Sequence, residues 1–441
     1  MTPGARAAAA IAILERHDAS AAPADLVAGG HFRSNRYIGA KDRAAIAATV
    51  YGVLRVRAQL DWWIEREGRI EPNARRRVMT WLVLCDGWPG EKIAAAFDGD
   101  RFRPPPLERA EAQFVDRLRT RTLDHPQQPE AVRLNMPGWI MPALADSLGA
   151  AAPRELAALG AQAPLDLRVN VLKTDRTAAL AALAGAGIRG VPTRWSPWGI
   201  RVEGRPPLSA SAVFQDGLVE VQDEGSQLAA ALADVAPGQR VCDFCAGAGG
   251  KTLALAAVMA NKGHIDACDV EAKRIQGATK RLRRAGVFNV TLHTLKSERD
   301  PWVKHHAQRY DRVLIDAPCT GTGTWRRNPD ARWTLSETDV GELVDLQRRI
   351  LDSAARLVRP GGRLVYVTCS LLRAENEDQV EGFLAANPAF AAVPADTVWD
   401  ATVGGARAPG VARFVRLSPA AAGTDGFFVA ILERKTAAGD A

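Results

Sequence analysis

The hydrophobic positions of this chain follow a helical period in its first third and a different pattern afterwards. Over residues 1 to about 130, apolar residues recur at helical spacing without strand-like alternation, as in Ala7–Leu14, Asp42–Leu60 and Val78–Leu84. The proline run at 104–106 predicts a rigid connection and not a helix interior. The pattern therefore predicts an all-helical first domain over 1–130.

The middle of the chain, 131–215, combines short strand-like runs with one helical pattern. Leu167–Val171 and Gly199–Val202 have the composition and alternation of strands, and Arg176–Ala186 has helical spacing. Glycine and proline separate these runs. We expect a small α+β segment here.

From about residue 216 onward, strand-like and helical patterns alternate. The predicted strands are Arg240–Phe244, His264–Val270, Val290–Thr294, Arg312–Ala317, Gly362–Thr368 and Gly426–Leu432. The predicted helices are Gly225–Val235, Lys251–Asn261, Glu271–Ala285, Val340–Leu357 and Glu375–Ala386. This alternation predicts an α/β domain over 216–435 with a Rossmann-like, doubly wound, mostly parallel sheet, whose ligands bind beyond the carboxyl ends of the strands. The small, polar tail 436–441 is predicted to be disordered.

Composition and charge narrow the class of protein. The net charge of +7 is carried mostly by arginine, which suits a nucleic acid partner, although a solvated arginine-rich surface explains it equally well. No run approaches the roughly 18 apolar residues that span a bilayer, and the first residues form an amphipathic helix and not a secretion signal, so we expect a cytoplasmic protein. Cys242 and Cys245 form a C-x-x-C that no second pair of ligands completes, so no metal is expected.

A glycine-rich turn follows the first predicted strand of the α/β domain. The strand ends at Asp243-Phe244-Cys245, and Ala246 to Gly250 lead into a helix at Lys251. The spacing is not that of a phosphate-binding P-loop. The next strand ends at Asp269, where an acid accepts hydrogen bonds from ribose hydroxyls or caps the helix that begins near Arg274. Together the turn and the acid predict an adenosine-containing cofactor.

Two cysteines follow neighbouring predicted strands. Cys319 ends the sequence Asp316-Ala317-Pro318-Cys319, and Cys369 lies in Thr368-Cys369-Ser370. Parallel strands lie about 4.8 Å apart, so both thiols should face one crevice. A thiolate that adds to C6 of a cytosine makes C5 able to attack an electrophilic methyl group. Asp316 would stabilise the charge that develops near N3, the second thiol would assist loss of the C5 proton, and Lys251 would favour the thiolate.

These segments resemble the RNA cytosine-5 methyltransferases of the Nol1/Nop2/Sun type, most of all the bacterial group that acts on 16S ribosomal RNA. The resemblance covers nearly the whole chain. It is carried by Leu167–Lys173, Val221–Ser226, the glycine-rich turn, Asp316–Cys319, Gly321–Gly323, Arg326–Asp330, Thr368–Ser370, Glu375–Glu377 and Asp425–Phe428. The helical first part, with Asp42-Arg43 and Tyr51–Arg55, resembles the NusB-like RNA-binding domain of that bacterial group.

The resemblance implies a class I methyltransferase domain that uses S-adenosylmethionine. It implies Cys369 as the nucleophile, Cys319 in product release, and Asp316 at both the target base and the cofactor. The implied cofactor-lining residues are Cys245, Ala246, Gly247, Ala248, Gly249, Gly250, Lys251, Asp269, Arg274 and, toward the adenine, Ser297 or Glu298. Ala248 stands where the family usually has proline, and Ser297 lies near the place where the family usually has an acid.

An RNA substrate must present its cytosine unpaired or flipped, because a helix hides C5 and C6. The predicted RNA contacts are Arg168, Asn170, Lys173, Arg326 and Arg327. The basic clusters at 75–77 and 280–284 are phosphate contacts or solvated helix faces with equal support. We expect a monomer acting on ribosomal RNA. The alternatives are a transfer RNA methyltransferase, a catalytically idle RNA-binding assembly factor and, disfavoured by the Thr-Cys-Ser sequence, a DNA cytosine methyltransferase.

Overall fold

The computed structural model describes residues 1–20 and 22–436, and its internal contacts divide them into two compact units. The first unit comprises Met1–Ala145 and Trp325–Ser336, and the second contains the rest of the described chain. This division cuts later than the predicted boundary near 130, and a short segment inside the predicted 216–435 domain belongs to the first unit. Of the predicted disordered tail, all but Thr436 lies outside the described residues.

The first unit is helical, as its periodicity predicts. Its helices are α1 (Pro3–Ser20), α2 (Ala24–Ser34), α3 (Ala40–Arg55), α4 (Arg57–Trp63), α5 (Ala74–Leu84), α6 (Gly90–Ala96), α7 (Arg109–Leu118) and α8 (Glu130–Arg133), and α9 (Met141–Leu148) crosses into the second unit. The side chain of Asn73 accepts a hydrogen bond from the Arg76 amide and so caps α5. Trp63 and Ile46 are fully buried at the centre of the helices.

The segment Trp325–Ser336 is fixed to these helices by buried polar contacts. Arg332 is fully buried and donates from Nη1 to the carbonyl of Asn135 at 2.9 Å. Trp333 donates from Nε1 to the carbonyl of Leu54 at 2.7 Å. Burial away from water lowers the pKa of Arg332 to about 9. No periodic pattern in the sequence indicates this attachment, since it depends on single side chains.

The second unit begins with a small four-stranded antiparallel sheet. Its strands are β1 (Leu165–Val169), β2 (Gly190–Pro192), β3 (Gly199–Val202) and β4 (Val219–Val221), in the spatial order β2-β3-β1-β4. Both predicted strands and the predicted helix of this region are present. β1, however, begins and ends two residues before the predicted Leu167–Val171.

A large sheet forms the core of the second unit. Its strands are β5 (Arg240–Asp243), β6 (His264–Asp269), β7 (Val290–Thr294), β8 (Tyr310–Asp316), β9 (Val358–Thr368), β10 (Phe390–Val393), β11 (Val415–Leu417) and β12 (Phe427–Arg434). The order is β10-β12-β9-β8-β5-β6-β7, with β11 on β12. β5 to β9 are parallel, whereas β10, β11 and β12 pair antiparallel. The predicted mostly parallel fold class is confirmed, and β10 and β11 are two strands that the pattern did not predict.

The helices of the second unit pack on its two sheets and on one another. They are α10 (Ala152–Ala158), α11 (Arg176–Gly185), α12 (Ala212–Gln215), α13 (Glu224–Ala231), α14 (Gly250–Val258), α15 (Ala272–Ala285), α16 (Pro301–His305), α18 (Glu337–Ala355), α19 (Glu377–Ala386), α20 (Ala395–Thr402) and α21 (Pro419–Ala422), while α17 (Ala331–Thr334) lies in the first unit. Chain order reverses between β5 and β8, which makes their carboxyl ends the expected ligand crevice. Within the described residues, no helix has both the length and the apolar character needed to cross a membrane.

Candidate active site

The glycine-rich turn leaves β5 after Asp243 and enters α14. Gly247 and Gly249 have φ values of 54° and 76°, a left-handed conformation that glycine adopts without steric cost. A Cβ on Gly249 would lie 3.0 Å from the Cβ of Ala278, closer than side chains normally approach. The turn therefore packs tightly against α15, and its backbone can approach a ligand closely.

Asp269, at the end of β6, fixes this turn. Its Oδ2 accepts a hydrogen bond from the Gly247 amide and its Oδ1 accepts one from the Glu271 amide, both at 2.8 Å. The second of these bonds precedes α15, whose N-cap residue is Glu271, and α15 has no side-chain cap in the described part of the chain. A carboxylate has further acceptor capacity, so the predicted ribose contact at Asp269 stays compatible with these bonds.

Asp243 is a buried acid that the sequence analysis did not select as a site residue. Thr252 donates to its Oδ2 at 2.6 Å, and the buried Oδ1 has no hydrogen-bond partner among the described residues. Burial raises its pKa to about 7, and the nearby Asp316 carboxylate adds to the effect. A buried, half-satisfied acid beside a glycine-rich turn is typical of a ligand site. The only sequence signal was its place at the end of a strand that precedes the turn.

Lys251, in the first turn of α14, forms an ion pair with Asp316, the last residue of β8. Lys251 Nζ lies 2.6 Å from Asp316 Oδ2, and the lysine side chain is 7% exposed while the aspartate is 36% exposed. The ammonium also lies 5.3 Å from the centre of the Phe427 ring. The ring and the carboxylate hold the ammonium at the crevice, and the partly exposed Asp316 remains accessible to a ligand.

The two predicted cysteines meet. Cys319 Sγ and Cys369 Sγ are 3.4 Å apart, within hydrogen-bond distance, and both residues are half-buried. The hydrogen bond to Cys369 and burial raise the pKa of the Cys319 thiol well above its usual range. The structure therefore brings both thiols to one place at the ends of neighbouring strands.

Glycines allow the backbone to close around Cys369. The Gly323 amide donates to the Cys369 carbonyl at 2.9 Å, and the Gly426 amide donates to the Gly323 carbonyl at 2.8 Å. A Cβ on Gly323 would lie 2.5 Å from the carbonyl oxygen of Gly426, which is sterically impossible without rearrangement. The need for glycine at both positions follows from this contact between the two backbones.

The other predicted cofactor residues surround the turn. Cys245 is half-buried, Ala246 is buried, and burial raises the pKa of the Cys245 thiol well above its usual range, so this thiol stays neutral. Ala248 is exposed, and its carbonyl accepts a hydrogen bond from Arg281 Nη1 at 2.7 Å. That bond restrains the turn at the position where the family usually has proline.

The predicted adenine side has one available residue. Glu298 forms an ion pair with Arg349 at 2.9 Å, whereas Ser297 is half-buried on the segment after β7, where its Oγ accepts from the Arg299 amide at 3.2 Å. Arg274 is 61% exposed at the start of α15. Ser297 is thus the better placed of the two alternatives, and its role stays a prediction.

Two predicted RNA contacts are buried in the second unit. Arg168 is 2% exposed and donates from Nε to Gln222 Oε1 at 2.6 Å, and burial lowers its pKa to about 10. Asn170 is also 2% exposed and donates from Nδ2 to the carbonyls of Gly217 and Ala285. Both side chains join the small sheet to neighbouring segments, and their burial disfavours the RNA contacts, which stay a prediction.

The remaining predicted RNA contacts differ in exposure. Lys173 is exposed, although its Nζ donates to the carbonyls of Asp216 and Arg284 at 2.7 Å. Arg326 is 6% exposed within the first unit, which disfavours its predicted RNA contact, and Arg327 is half-buried. Lys173 and Arg327 therefore remain the accessible members of the predicted set.

The basic clusters are partly committed to ion pairs within the protein. Arg75 contacts Glu111 at 2.9 Å, and Arg77 contacts Asp61 at 2.7 Å. Arg281 contacts Glu220 at 3.1 Å. These pairs favour a structural interpretation of the arginines concerned.

Comparison with known proteins identifies related sequences over most of the chain. The family described as "16S rRNA methyltransferase RsmB/F" matches residues 230–433, and the "Methyltr_RsmF/B-like, ferredoxin-like domain" matches residues 136–209. "Ribosomal RNA small subunit methyltransferase B" of Salmonella typhi is 31% identical over 359 residues, which are 79% of this chain and 83% of the relative.

Solved structures share the fold. The crystal structure of PH0851 is similar with a TM-score of 0.80 and 27% identity, covering 98% of this chain and 99% of that chain. A methyltransferase homolog protein from Pyrococcus horikoshii has a TM-score of 0.59 and 29% identity, covering 69% of this chain and 97% of that chain. NSun6 from Pyrococcus horikoshii, solved with SFG, has a TM-score of 0.60 at 20% identity and covers 68% of this chain and 98% of that chain. On the sequence match and the shared fold, the chain belongs to the 16S rRNA methyltransferase RsmB/F family.

Proposed function

We propose that this protein transfers a methyl group from S-adenosylmethionine to C5 of a cytosine in RNA, with 16S ribosomal RNA as the substrate, through a covalent bond between Cys369 and C6. The observation that carries the proposal is the 3.4 Å separation of the Cys319 and Cys369 sulfurs at the ends of neighbouring parallel strands. Membership of the RsmB/F family supports the ribosomal substrate, because its relatives are described as small-subunit RNA methyltransferases.

The residues around the glycine-rich turn fit the methyl donor. Gly247 and Gly249 permit close approach, Asp269 is positioned to contact a ribose, and the unsatisfied Oδ1 of Asp243 offers a buried acceptor to a cationic group. When bound, S-adenosylmethionine supplies an electrophilic methyl group. The positive charge of the bound S-adenosylmethionine would offset the free-energy cost of burying the ionised Asp243 carboxylate.

The thiol pair separates the two tasks of the reaction. Cys369, the nucleophile that the family resemblance implies, attacks C6 of the cytosine as its thiolate. The electron pair displaced from the C5–C6 bond makes C5 nucleophilic. Lys251 and Asp316, 2.6 Å apart, are positioned to hydrogen-bond the ring while charge develops near N3.

Release of the product requires loss of the C5 proton and of the Cys369–C6 bond. Once the Cys369 sulfur is bonded to carbon, the hydrogen bond that chiefly raises the pKa of Cys319 is lost. Cys319 then deprotonates more readily and can accept the C5 proton directly or through water. The electron pair of the C5–H bond restores the C5–C6 double bond, and Cys369 leaves as a thiolate.

The experiment compares Cys369→Ala with Cys319→Ala, using labelled methyl donor and protein-free or partly assembled small-subunit RNA. We expect Cys369→Ala to abolish turnover and Cys319→Ala to accumulate an RNA adduct that resists denaturation. Full turnover by Cys369→Ala would refute the nucleophile assignment. If the label appears in transfer RNA and not in small-subunit RNA, the substrate is transfer RNA and the ribosomal assignment is refuted.

A further inference from the structure

Two adjacent residues, Glu375 and Asn376, contact both cysteine loops. They lie in the segment between β9 and α19, and they are 0% and 4% exposed. The proposed chemistry uses neither side chain. They belong to the segment Glu375–Glu377, which is one of those that resemble the family.

Glu375 holds the residues on either side of Cys319. Its Oε1 accepts from the Thr320 amide at 2.9 Å and its Oε2 accepts from Thr320 Oγ1 at 2.5 Å. Gln347, fully buried on α18, donates from Nε2 to Glu375 Oε1 and to the carbonyl of Pro318, both at 2.9 Å. Three donors converge on this carboxylate, which matches the acceptor-only character of its ionised form.

Asn376 holds the residues on either side of Cys369 in the same way. Thr368 donates from Oγ1 to Asn376 Oδ1 at 2.5 Å, and Asn376 Nδ2 donates to the carbonyl of Ser370 at 3.0 Å. The hydroxyls of Thr320 and Ser370 lie 3.3 Å apart and join the two loops directly. Asn376 thus restrains both neighbours of Cys369. Glu375 restrains Thr320 directly and Pro318 through Gln347, and these two residues are the neighbours of Cys319.

We propose that Glu375 and Asn376 are positioning residues that act as one clamp, setting the distance between the Cys319 and Cys369 sulfurs. The catalytic role of the clamp rests on the proposed function, whereas its hydrogen bonds are observed independently of that function. Hydrogen bonds buried at this depth are costly to break, because each leaves an unsatisfied group away from water. Since the two residues are adjacent in sequence, a shift of one loop is transmitted to the other.

The clamp has an electrostatic consequence for Cys319. The groups that face its thiol are Cys369, the Glu375 carboxylate, Tyr366 and the amide of Gly321. The carboxylate adds to the raised pKa of Cys319, and the Gly321 amide opposes it. Removing the negative charge at Glu375 should therefore lower the pH at which Cys319 ionises, in addition to any movement of the loop.

The first test measures sulfur spacing without any RNA. Phenylarsine oxide binds tightly only where two thiols can ligate one arsenic, so we titrate it against the wild type, Glu375→Gln and Asn376→Ala. We expect its affinity to fall at least about tenfold in both variants, as a loss of one or two hydrogen bonds to each loop implies. The control Glu377→Gln alters the neighbouring buried acid, which pairs with Arg416 and contacts neither loop, and should bind as the wild type does. Cys319→Ala should abolish binding and identifies the site.

The second test separates positioning from general stability. Glu375→Gln and Asn376→Ala should lower kcat about 100-fold while the KM for the methyl donor stays unchanged, because a misplacement near 1 Å has an effect of this size. In Glu375→Gln, alkylation of Cys319 by iodoacetamide, followed by mass spectrometry, should reach half its maximal rate at a lower pH. Asn376→Ala retains the carboxylate and should not show this shift.

The possible outcomes distinguish the clamp from the proposed function. Unchanged arsenical affinity in both variants, with native melting curves, overturns the clamp even if the wild type methylates RNA. If the wild type lacks methyltransferase activity but both variants bind the arsenical more weakly, as expected, the proposed function is refuted and the clamp is supported. If Glu375→Gln does not fold, Thr320→Val removes one of the same hydrogen bonds, and native arsenical affinity in that variant overturns the clamp.

Discussion

Asp243 gives the sharpest quantitative prediction, because its acid is fully buried and only half satisfied. Its pKa of about 7 lies well above the ordinary value of 3.8, so the folded protein holds this proton more tightly than the unfolded chain does. Folding stability is therefore unaffected by this group below the unfolded pKa and falls as the pH rises toward the folded pKa. The replacement Asp243→Asn keeps an acceptor for Thr252 and removes the ionisation.

The size of the effect follows from proton linkage. At about 1.4 kcal/mol per pKa unit, the carboxylate costs about 4 kcal/mol at pH 8 and about 2 kcal/mol at pH 5. Any constant cost of burying the new amide cancels when the two conditions are compared. We therefore expect the free energy of unfolding of the wild type, relative to Asp243→Asn, to fall by roughly 2–3 kcal/mol between pH 5 and pH 8.

Urea unfolding of both proteins across this pH range measures the difference. Asp266, on the neighbouring strand β6, supplies a matched control: burial disfavours its charge, but hydrogen bonds with His293 and Tyr310 outweigh burial and lower its pKa. Asp266→Asn should therefore be destabilising at neutral pH, and the loss should disappear as the pH falls through the acid range. Parallel pH profiles for the wild type and Asp243→Asn would refute the assignment of a buried, pKa-raised acid at Asp243.

Three further replacements test the site. Gly249→Ala should lower the free energy of unfolding by about 1–3 kcal/mol, because of the left-handed backbone and the contact with Ala278, and should weaken binding of the methyl donor. Urea unfolding measures the stability and calorimetry measures the binding. Wild-type stability and wild-type affinity would show that the turn tolerates a Cβ. Lys251→Met leaves the Asp316 carboxylate unpaired and should lower kcat about 100-fold with a native melting curve, so near-normal turnover would exclude Lys251 from the chemistry. Arg168→Met should lower stability without changing RNA affinity in a filter-binding assay, whereas weaker RNA binding at unchanged stability would reinstate Arg168 as an RNA contact.

Sequence patterns predicted the parts of the fold that depend on local periodicity. The alternation after residue 216 identified β5 to β9 and the helices α14, α15 and α18, because buried parallel strands read as short apolar runs bounded by turn residues. It did not predict the short helix α16 between β7 and β8. The antiparallel direction of β12 could not be read from its composition, since an apolar run is equally suited to either direction. β10 has two alanines among its four residues, and β11 is only three residues long, so neither has a clear strand composition.

The RNA contacts show why residue type alone is a weak guide to exposure. Arg168 and Arg326 are charged, and charged side chains are ordinarily on the surface. Here the burial of Arg168 is tolerated because Gln222 accepts its hydrogen bond and the negative charge of Glu220 attracts its guanidinium group. Such partners lie more than 50 positions away along the chain, so no local pattern reveals them.

The sequence by itself determined the parallel strands β5 to β9, the glycine-rich turn and the two cysteine signatures, since each is a property of neighbouring residues. Only the tertiary structure decided that the two sulfurs lie 3.4 Å apart, that Asp243 is an unsatisfied acid, and that Glu375 and Asn376 restrain both loops. The physical reason is that distances and desolvation depend on which strands become neighbours. The chain brings β8 and β9 together although 41 residues separate Asp316 from Val358 in the numbering, and no periodicity encodes that pairing.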